Sequence, residues 1–267
     1  MGDSRNDKVA AYAVANAAEN IPICDFQESD IFAVAYPKSG STWFQNLASG
    51  LFYSIDLDNT PDALIQKMVP DVHWKERYAR LRAEMMFKSH ALPRRDYRRV
   101  VYLLRDGRDV AVSHFHHRAA VQQKIESELD LAASVREDAE RWSQHVRSWT
   151  ANPFNAAMLM IRYEDLLVHP HRELRRFCKF AGLPFTEAGI TEVAQKCSFQ
   201  VMRKRETKFG LANSAWPRSR SFVRRGEAGS YRDELPEDIL QLFEGIAGAT
   251  LEAFGYGMAT SYGVRVA

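Results

Sequence analysis

Apolar residues gather into three short, nearly continuous runs, Ile31–Tyr36, Val100–Leu104 and Met158–Tyr163. None of the three alternates with polar residues. A strand of that kind is buried on both faces, which is the habit of a parallel sheet. Turn, charged or glycine residues follow each run, and helix-like stretches come next. The pattern predicts helices over Thr42–Tyr53, Arg108–His117, Leu131–Trp149, Pro170–Ala181 and Pro236–Phe254. Ala133, Val135, Ala139, Trp142, His145, Val146 and Trp149 mark a roughly helical period in the third. Gly182 and Pro184 close the fourth, and Pro236 suits the first turn of the fifth. Strand, loop and helix repeated in this way predict an α/β fold: a single domain with a central, mainly parallel sheet flanked by helices. The periodicity dissolves from Arg203 to Tyr231, a basic stretch holding Phe209, Trp216 and Phe222. Long irregular stretches in a compact domain are usually functional or disordered. No linker or repeat divides residues 1–267, and residues 1–25 read as a loosely ordered N-terminal segment.

The loop after the first run, VAYPKSGSTW at 34–43, has the makings of an anion site. Pro37 ends the strand, Gly40 permits close backbone approach or a positive φ, and Ser41 and Thr42 are capping types. Backbone N–H groups from Ser39 to Thr42 would point at whatever precedes the helix, with Lys38 and the helix dipole adding positive charge. This is the logic of a phosphate-binding loop, but Lys38 precedes Gly40, so it is not GxxxxGK[ST]. The bland alternative is a plain strand–turn–helix corner. In the second strand–helix unit, VVYLLRDGRDVAVS at 100–113, Arg105 stands at the strand's carboxyl end, where α/β sheets bind ligands. A guanidinium there can grip a phosphate bidentately. Ion pairs of Arg105 with Asp109, or of Arg108 with Asp106, are the competing reading.

Taken in order, PKSGSTW, Arg105 with Ser113, and RRGEAGSY at 224–231 resemble the nucleotide-binding segments of sulfotransferases that use 3′-phosphoadenosine-5′-phosphosulfate (PAPS). The resemblance runs from about Ile31 to Leu235 and fits a cytosolic-type, bacterial small-molecule member. It implies that Lys38, Ser39, Gly40, Ser41, Thr42 and Trp43 form the 5′-phosphosulfate loop. Arg105 and Ser113 would hold the 3′-phosphate, joined by Phe222, Val223, Arg224, Arg225 and Gly226. Ser198, Phe199 and Met202 of CSFQVM, and Tyr163 of RYEDL, would surround the adenine; for Tyr163 and Phe199 a plain core role is the alternative. Tyr231 stands where the family usually has Trp, and the family's usual dimer motif is not visible after it.

The same resemblance implies His90, in MFKSHALP, as the base that takes the acceptor's proton, with Ala91 an extra residue after it. Histidine titrates in the right range for that step. Lys88 would support the sulfuryl oxygens, Lys38 the departing nucleotide oxygen, and Ser113 would hold Lys38 aside until the acceptor arrives. Glu84 is a distant alternative base. His114, His116 and His117 have suggestive metal spacing but no further ligand cluster, and no metal is expected.

Composition narrows the setting. A net charge of +2 gives no reason to expect nucleic acid or membrane partners. The three cysteines, Cys24, Cys178 and Cys197, lie far apart, so neither a disulfide framework nor zinc is expected. Residues 9–18 mimic a signal core, but Asp3 and Asp7 precede it, and Asn6 breaks the myristoylation pattern. The reading is a cytoplasmic enzyme, monomer or homodimer, acting on a small hydroxylated acceptor. Candidate acceptor walls include Phe52, Tyr53, Trp74, Tyr78, Met85, Met86, Phe87, Trp142, Phe209 and Trp216, with a plain core role as the alternative for each. Arg203, Lys204, Arg205 and Lys208 would either greet an anionic acceptor or simply stay solvated. The rival readings are a P-loop small-molecule kinase and a non-catalytic nucleotide-binding protein on the same fold.

Overall fold

The computed structural model describes residues 18–213, 216–217 and 219–257, so most of the N-terminal segment 1–25 lies outside the described residues. Among the described residues the strands are β1 (Ile21–Pro22), β2 (Ile31–Ala35), β3 (Arg77–Tyr78), β4 (Met86–Ser89), β5 (Arg99–Leu104) and β6 (Ala157–Arg162). β1 and β3 form a small antiparallel ribbon. The other four make one sheet in the order β4-β2-β5-β6, every pair parallel.

Helices flank both faces. They are α1 (Ser41–Tyr53), α2 (Asp62–Met68), α3 (Gly107–Val121), α4 (Leu131–Thr150), α5 (Tyr163–Val168), α6 (Pro170–Ala181), α7 (Glu187–Lys196), α8 (Phe199–Phe209), α9 (Tyr231–Glu234) and α10 (Glu237–Ala253). Successive residues of β2 feed two separate cores, as a period of two requires. Ile31, Ala33 and Ala35 join the apolar faces of α1, α6 and α7. Phe32, Val34 and Tyr36 join those of α3, α4 and α10. The run is continuous in the sequence because both sides of it are covered.

The sequence pattern misses β4. It has only four residues, and the last two are Lys88 and Ser89. It also loses α8 within the stretch it reads as irregular, because the helix buries only Arg205 and so carries no apolar stripe. Most of the proposed acceptor walls are core instead: Phe52, Tyr78, Met85, Met86, Phe87 and Trp142 are buried. Among the described residues, no helix is long and apolar enough to cross a membrane.

The topology decides where a site can form. From β2 the chain crosses to β4 on one side, then returns to β5 and β6 on the other. β2 is therefore the switch point, and the crevice beyond its carboxyl end is the natural ligand site of an open α/β sheet. All four strands finish on that edge, followed by His90, the Lys38 loop, Arg105 and Tyr163.

Candidate active site

The loop leaving β2 is shaped by backbone rather than by side-chain caps. Gly40 caps α1 at φ 89°, with no side-chain hydrogen bond, so Ser41 is the first helical residue and not the cap. Lys38 also has positive φ, 70°. A Cβ on Gly40 would stand 2.6 Å from Cδ2 of Tyr163, so the loop lies directly on that ring. Trp43 meets the same ring edge-on at 5.6 Å and donates its indole N–H to the Cys197 carbonyl at 2.8 Å.

Arg105 covers Tyr163 from the next strand, its guanidinium 4.3 Å from the ring centroid. It donates to two main-chain carbonyls, Lys38 O at 3.2 Å and Glu227 O at 3.0 Å. Its one nearby carboxylate, Asp109, is 3.8 Å away. Asp109 is instead occupied in holding the chain after α8: it accepts Gly229 N–H at 2.7 Å, Tyr231 N–H at 3.0 Å and the Ser230 hydroxyl at 3.2 Å. Arg108 is a structural residue, pairing with Asp106 at 2.7 Å and Glu244 at 2.6 Å. The two arginines of one motif thus divide, one locked in ion pairs and the other facing the crevice.

The segment 222–226 closes the same space. Phe222 lies under the Lys38 ammonium, 4.4 Å from ring centroid to Nζ. Gly226 is pressed against Phe199, where a Cβ would come within 2.4 Å of the ring. Arg224 and Arg225 reach Glu234, at 2.8 and 3.2 Å. Ser113 sits half-buried in the second turn of α3, and Ser198 and Met202 lie at the start of α8. Arg205, by contrast, is buried and bonds Asn46 Oδ1 at 3.1 Å and Thr60 O at 2.9 Å, so it greets no acceptor.

Positive charge accumulates here. Burial, and then the charges of Lys88, Arg105 and Arg224, push the Lys38 ammonium down to about 7. The Ser39 hydroxyl and Arg105 Nε are buried without a partner. Buried polar groups are ordinarily satisfied. A cluster of cations with orphaned donors fits a polyanion, and a nucleotide carrying phosphates and a sulfate supplies the matching oxygens.

His90 follows β4 directly. Its Nδ1 is 2.7 Å from the carbonyl oxygen of Ala35, the last residue of β2. A carbonyl only accepts, so Nδ1 carries the hydrogen and Nε2 the lone pair. His90 N–H donates to Nε2 of His73 at 2.9 Å, and the two rings stack at 5.8 Å. Burial, followed by the Lys88 charge, pushes the His90 imidazole down to about 3, so the ring is neutral at physiological pH. Lys88 itself is 3.0 Å from Asp71. Glu84 lies beyond the opposite end of β4 and pairs with Arg99 at 3.8 Å. At about 3.3 Å per residue, that is roughly 15–20 Å from His90.

The histidines of α3 do not converge. His114 bonds buried Asp138 at 2.8 Å, and His116 reaches Glu234 at 2.7 Å. His117 packs 5.5 Å from Trp216, and burial and then Lys38 push it down to about 3. Among the described residues, no group of three or more His, Cys, Asp or Glu is placed to hold a metal. Sequence reasoning missed the partners that hold these groups. Asp138 also accepts the Tyr36 hydroxyl at 2.8 Å, although the two are 102 residues apart. The one local signal was Tyr36 itself, next to the anion loop.

Comparison with known proteins places the chain and its fold. A sequence profile described as the sulfotransferase domain matches residues 28–255. Sulfotransferase 1A1 of Canis lupus familiaris is 26% identical over 272 aligned positions, covering 92% of this chain and 91% of that protein. Flavonol 3-sulfotransferase of Flaveria bidentis is 26% identical over 260, covering 83% of each. Among solved structures, retinol dehydratase in complex with androsterone and the inactive cofactor PAP superposes with a TM-score of 0.67 at 20% identity, covering 97% of this chain and 88% of that one. Mouse sulfotransferase SULT7A1 complexed with PAP gives 0.63 at 20% identity, covering 93% and 90%.

Proposed function

We propose how this site works from one premise: the chain belongs to the sulfotransferase family. It is a PAPS-dependent sulfotransferase. Our reading is that it moves the sulfuryl group to a hydroxyl of a small acceptor, with His90 as general base. The observation that carries this reading is the His90–Ala35 hydrogen bond. It ties the candidate base to the strand that ends in the anion loop, and it leaves Nε2 as the free lone pair.

The chemistry the donor supplies is a sulfur centre joined to a good leaving oxygen. The acceptor oxygen forms the new bond to sulfur while the bond to the bridging phosphate oxygen breaks. The acceptor's proton goes to His90 Nε2. Lys38 stabilises charge on the departing nucleotide oxygen, and Arg105 and Arg224 hold the 3′-phosphate. Positioning and electrostatic stabilisation dominate in such transfers, by analogy with phosphoryl transfer. A neutral His90 is the competent form, because only an unprotonated ring accepts. Negative charge arriving with the donor offsets the repulsion from Lys88 that disfavours the imidazolium.

The acceptor side is read as the space around His90, His117, Trp216 and Phe222. Neighbouring structures that hold androsterone or retinol together with PAP support a small-molecule acceptor. Free Cys24, Cys178 and Cys197 support the cytoplasm as compartment. The test is transfer of labelled sulfur from PAPS to a panel of phenols, steroids, sugars and aminoglycosides. Label in one class supports the reading, and binding of ATP in preference to adenosine 3′,5′-bisphosphate would return it to the kinase alternative.

A further inference from the structure

The segment that covers Lys38 is held downstream by Arg105, Glu234 and Asp109. Its start, at Phe222 and Val223, is held by a carboxylate on α8. Glu206 Oε1 accepts Phe222 N–H at 2.5 Å, and Oε2 accepts Val223 N–H at 3.0 Å and the Ser221 hydroxyl at 3.3 Å. A carboxylate receiving two adjacent main-chain N–H groups fixes the direction of the chain as well as its position. The helix beneath is itself anchored, through Arg205 to Asn46 and to the Thr60 carbonyl. Phe199, at the same helix's first turn, seats Gly226. One helix thus fixes residues 221–226 at both ends.

We propose that Glu206 is a positioning residue: by clamping the main chain of Phe222 and Val223 it holds the Phe222 ring over Lys38 and keeps Arg224 beside the anion site. The proposal rests on the reading of Lys38 and residues 222–226 as nucleotide-binding.

The consequence is electrostatic and has a diagnostic sign. The groups that face Lys38 are Lys88 from β4, Arg105 from the end of β5, Arg224 from the covering segment and His117 from α3. Burial is the largest cause of the weakened hold on its proton. Loss of the Glu206 clamp lets water reach the ammonium, so Lys38 should titrate at higher pH. Removing a carboxylate from the neighbourhood would by itself do the reverse, since a lost negative charge disfavours a cation. The direction of the shift therefore separates positioning from simple charge.

The experiment uses the full chain, with lysines reductively methylated with carbon-13, followed by NMR across pH, and a Lys38→Arg protein to assign the signal. Adenosine 3′,5′-bisphosphate affinity and thermal stability are measured on the same proteins. Glu206→Ala should raise the Lys38 midpoint by about one unit or more and weaken the bisphosphate roughly tenfold, the scale of a lost charge-assisted hydrogen bond. Glu206→Gln, which keeps one acceptor oxygen, should recover part of both. A Lys38 midpoint that stays or falls in Glu206→Ala would overturn the proposal, whatever happens to melting temperature. If Lys38 shifts upward as expected but the wild-type protein binds no bisphosphate, the clamp stands and the nucleotide reading fails.

Discussion

Gly40→Ala probes the contact between the anion loop and Tyr163. Two costs add. At φ 89° an alanine is in left-handed backbone, which costs about 1–2 kcal/mol. The new Cβ would also stand 2.6 Å from Tyr163 Cδ2 and 3.1 Å from Cε2. That ring cannot simply retreat, because Trp43 and Arg105 hold its other sides. Overpacking of this kind costs about 1–3 kcal/mol. The sum, about 2–5 kcal/mol, corresponds to a melting temperature lowered by roughly 4–20 °C for a domain of this size. Gly182→Ala is the control: its φ is 67° with nothing within 4 Å, so it should show the backbone cost alone. Thermal unfolding is run with and without adenosine 3′,5′-bisphosphate. Displacing Tyr163 moves the surface on which Arg105 rests, so the stabilisation by nucleotide should shrink in Gly40→Ala and persist in Gly182→Ala. A Gly40→Ala protein that melts within about 2 °C of wild type with an undiminished nucleotide effect would refute the reasoning.

Arg105→Ala should weaken adenosine 3′,5′-bisphosphate roughly tenfold to a hundredfold, with adenosine 5′-phosphate little changed; calorimetric titration of both checks it, and equal losses would break the 3′-phosphate assignment. Nucleotide binding should also be linked to protons. With Lys38 lowered to about 7 in the free protein, most of it is neutral at pH 8, whereas in the complex the phosphates favour the charged form. Binding at pH 8 should therefore take up close to one proton, binding at pH 6 almost none, and affinity should fall by up to about tenfold per pH unit above pH 7. Calorimetry in buffers of different ionisation enthalpy reads the uptake directly.

The strand ends were legible because the sheet is parallel and buried on both sides, so each strand announces itself as an apolar run and its loop follows at once. Lys38 and Arg105 could be read as candidates from that pattern, whereas a role for Tyr163 came only from the resemblance. His90 could not: β4 is short and half polar, and only the resemblance of its segment singled the residue out. The partners were illegible for a different reason. Asp138 lies 102 residues from Tyr36 and is buried on the apolar face of α4, so the sequence shows a carboxylate among core positions but not its partner. Glu206, 16 residues from Phe222, sits on a mostly polar helix, where a carboxylate looks the same whether solvated or spent on a loop. Of the aromatic residues proposed as acceptor walls, Phe52, Tyr78, Phe87 and Trp142 take the core alternative instead. An apolar ring in a strand is far more often core than pocket, and Phe87 and Tyr78 fill the space behind β4.

The central claim is that His90 takes the acceptor's proton in a sulfuryl transfer from PAPS. It is tested most directly by following labelled sulfur into an acceptor with wild-type and His90→Ala proteins, while measuring adenosine 3′,5′-bisphosphate binding to both. Turnover lower by about two to four powers of ten in the variant, with nucleotide affinity retained, is the predicted result. Undiminished transfer by His90→Ala would contradict it.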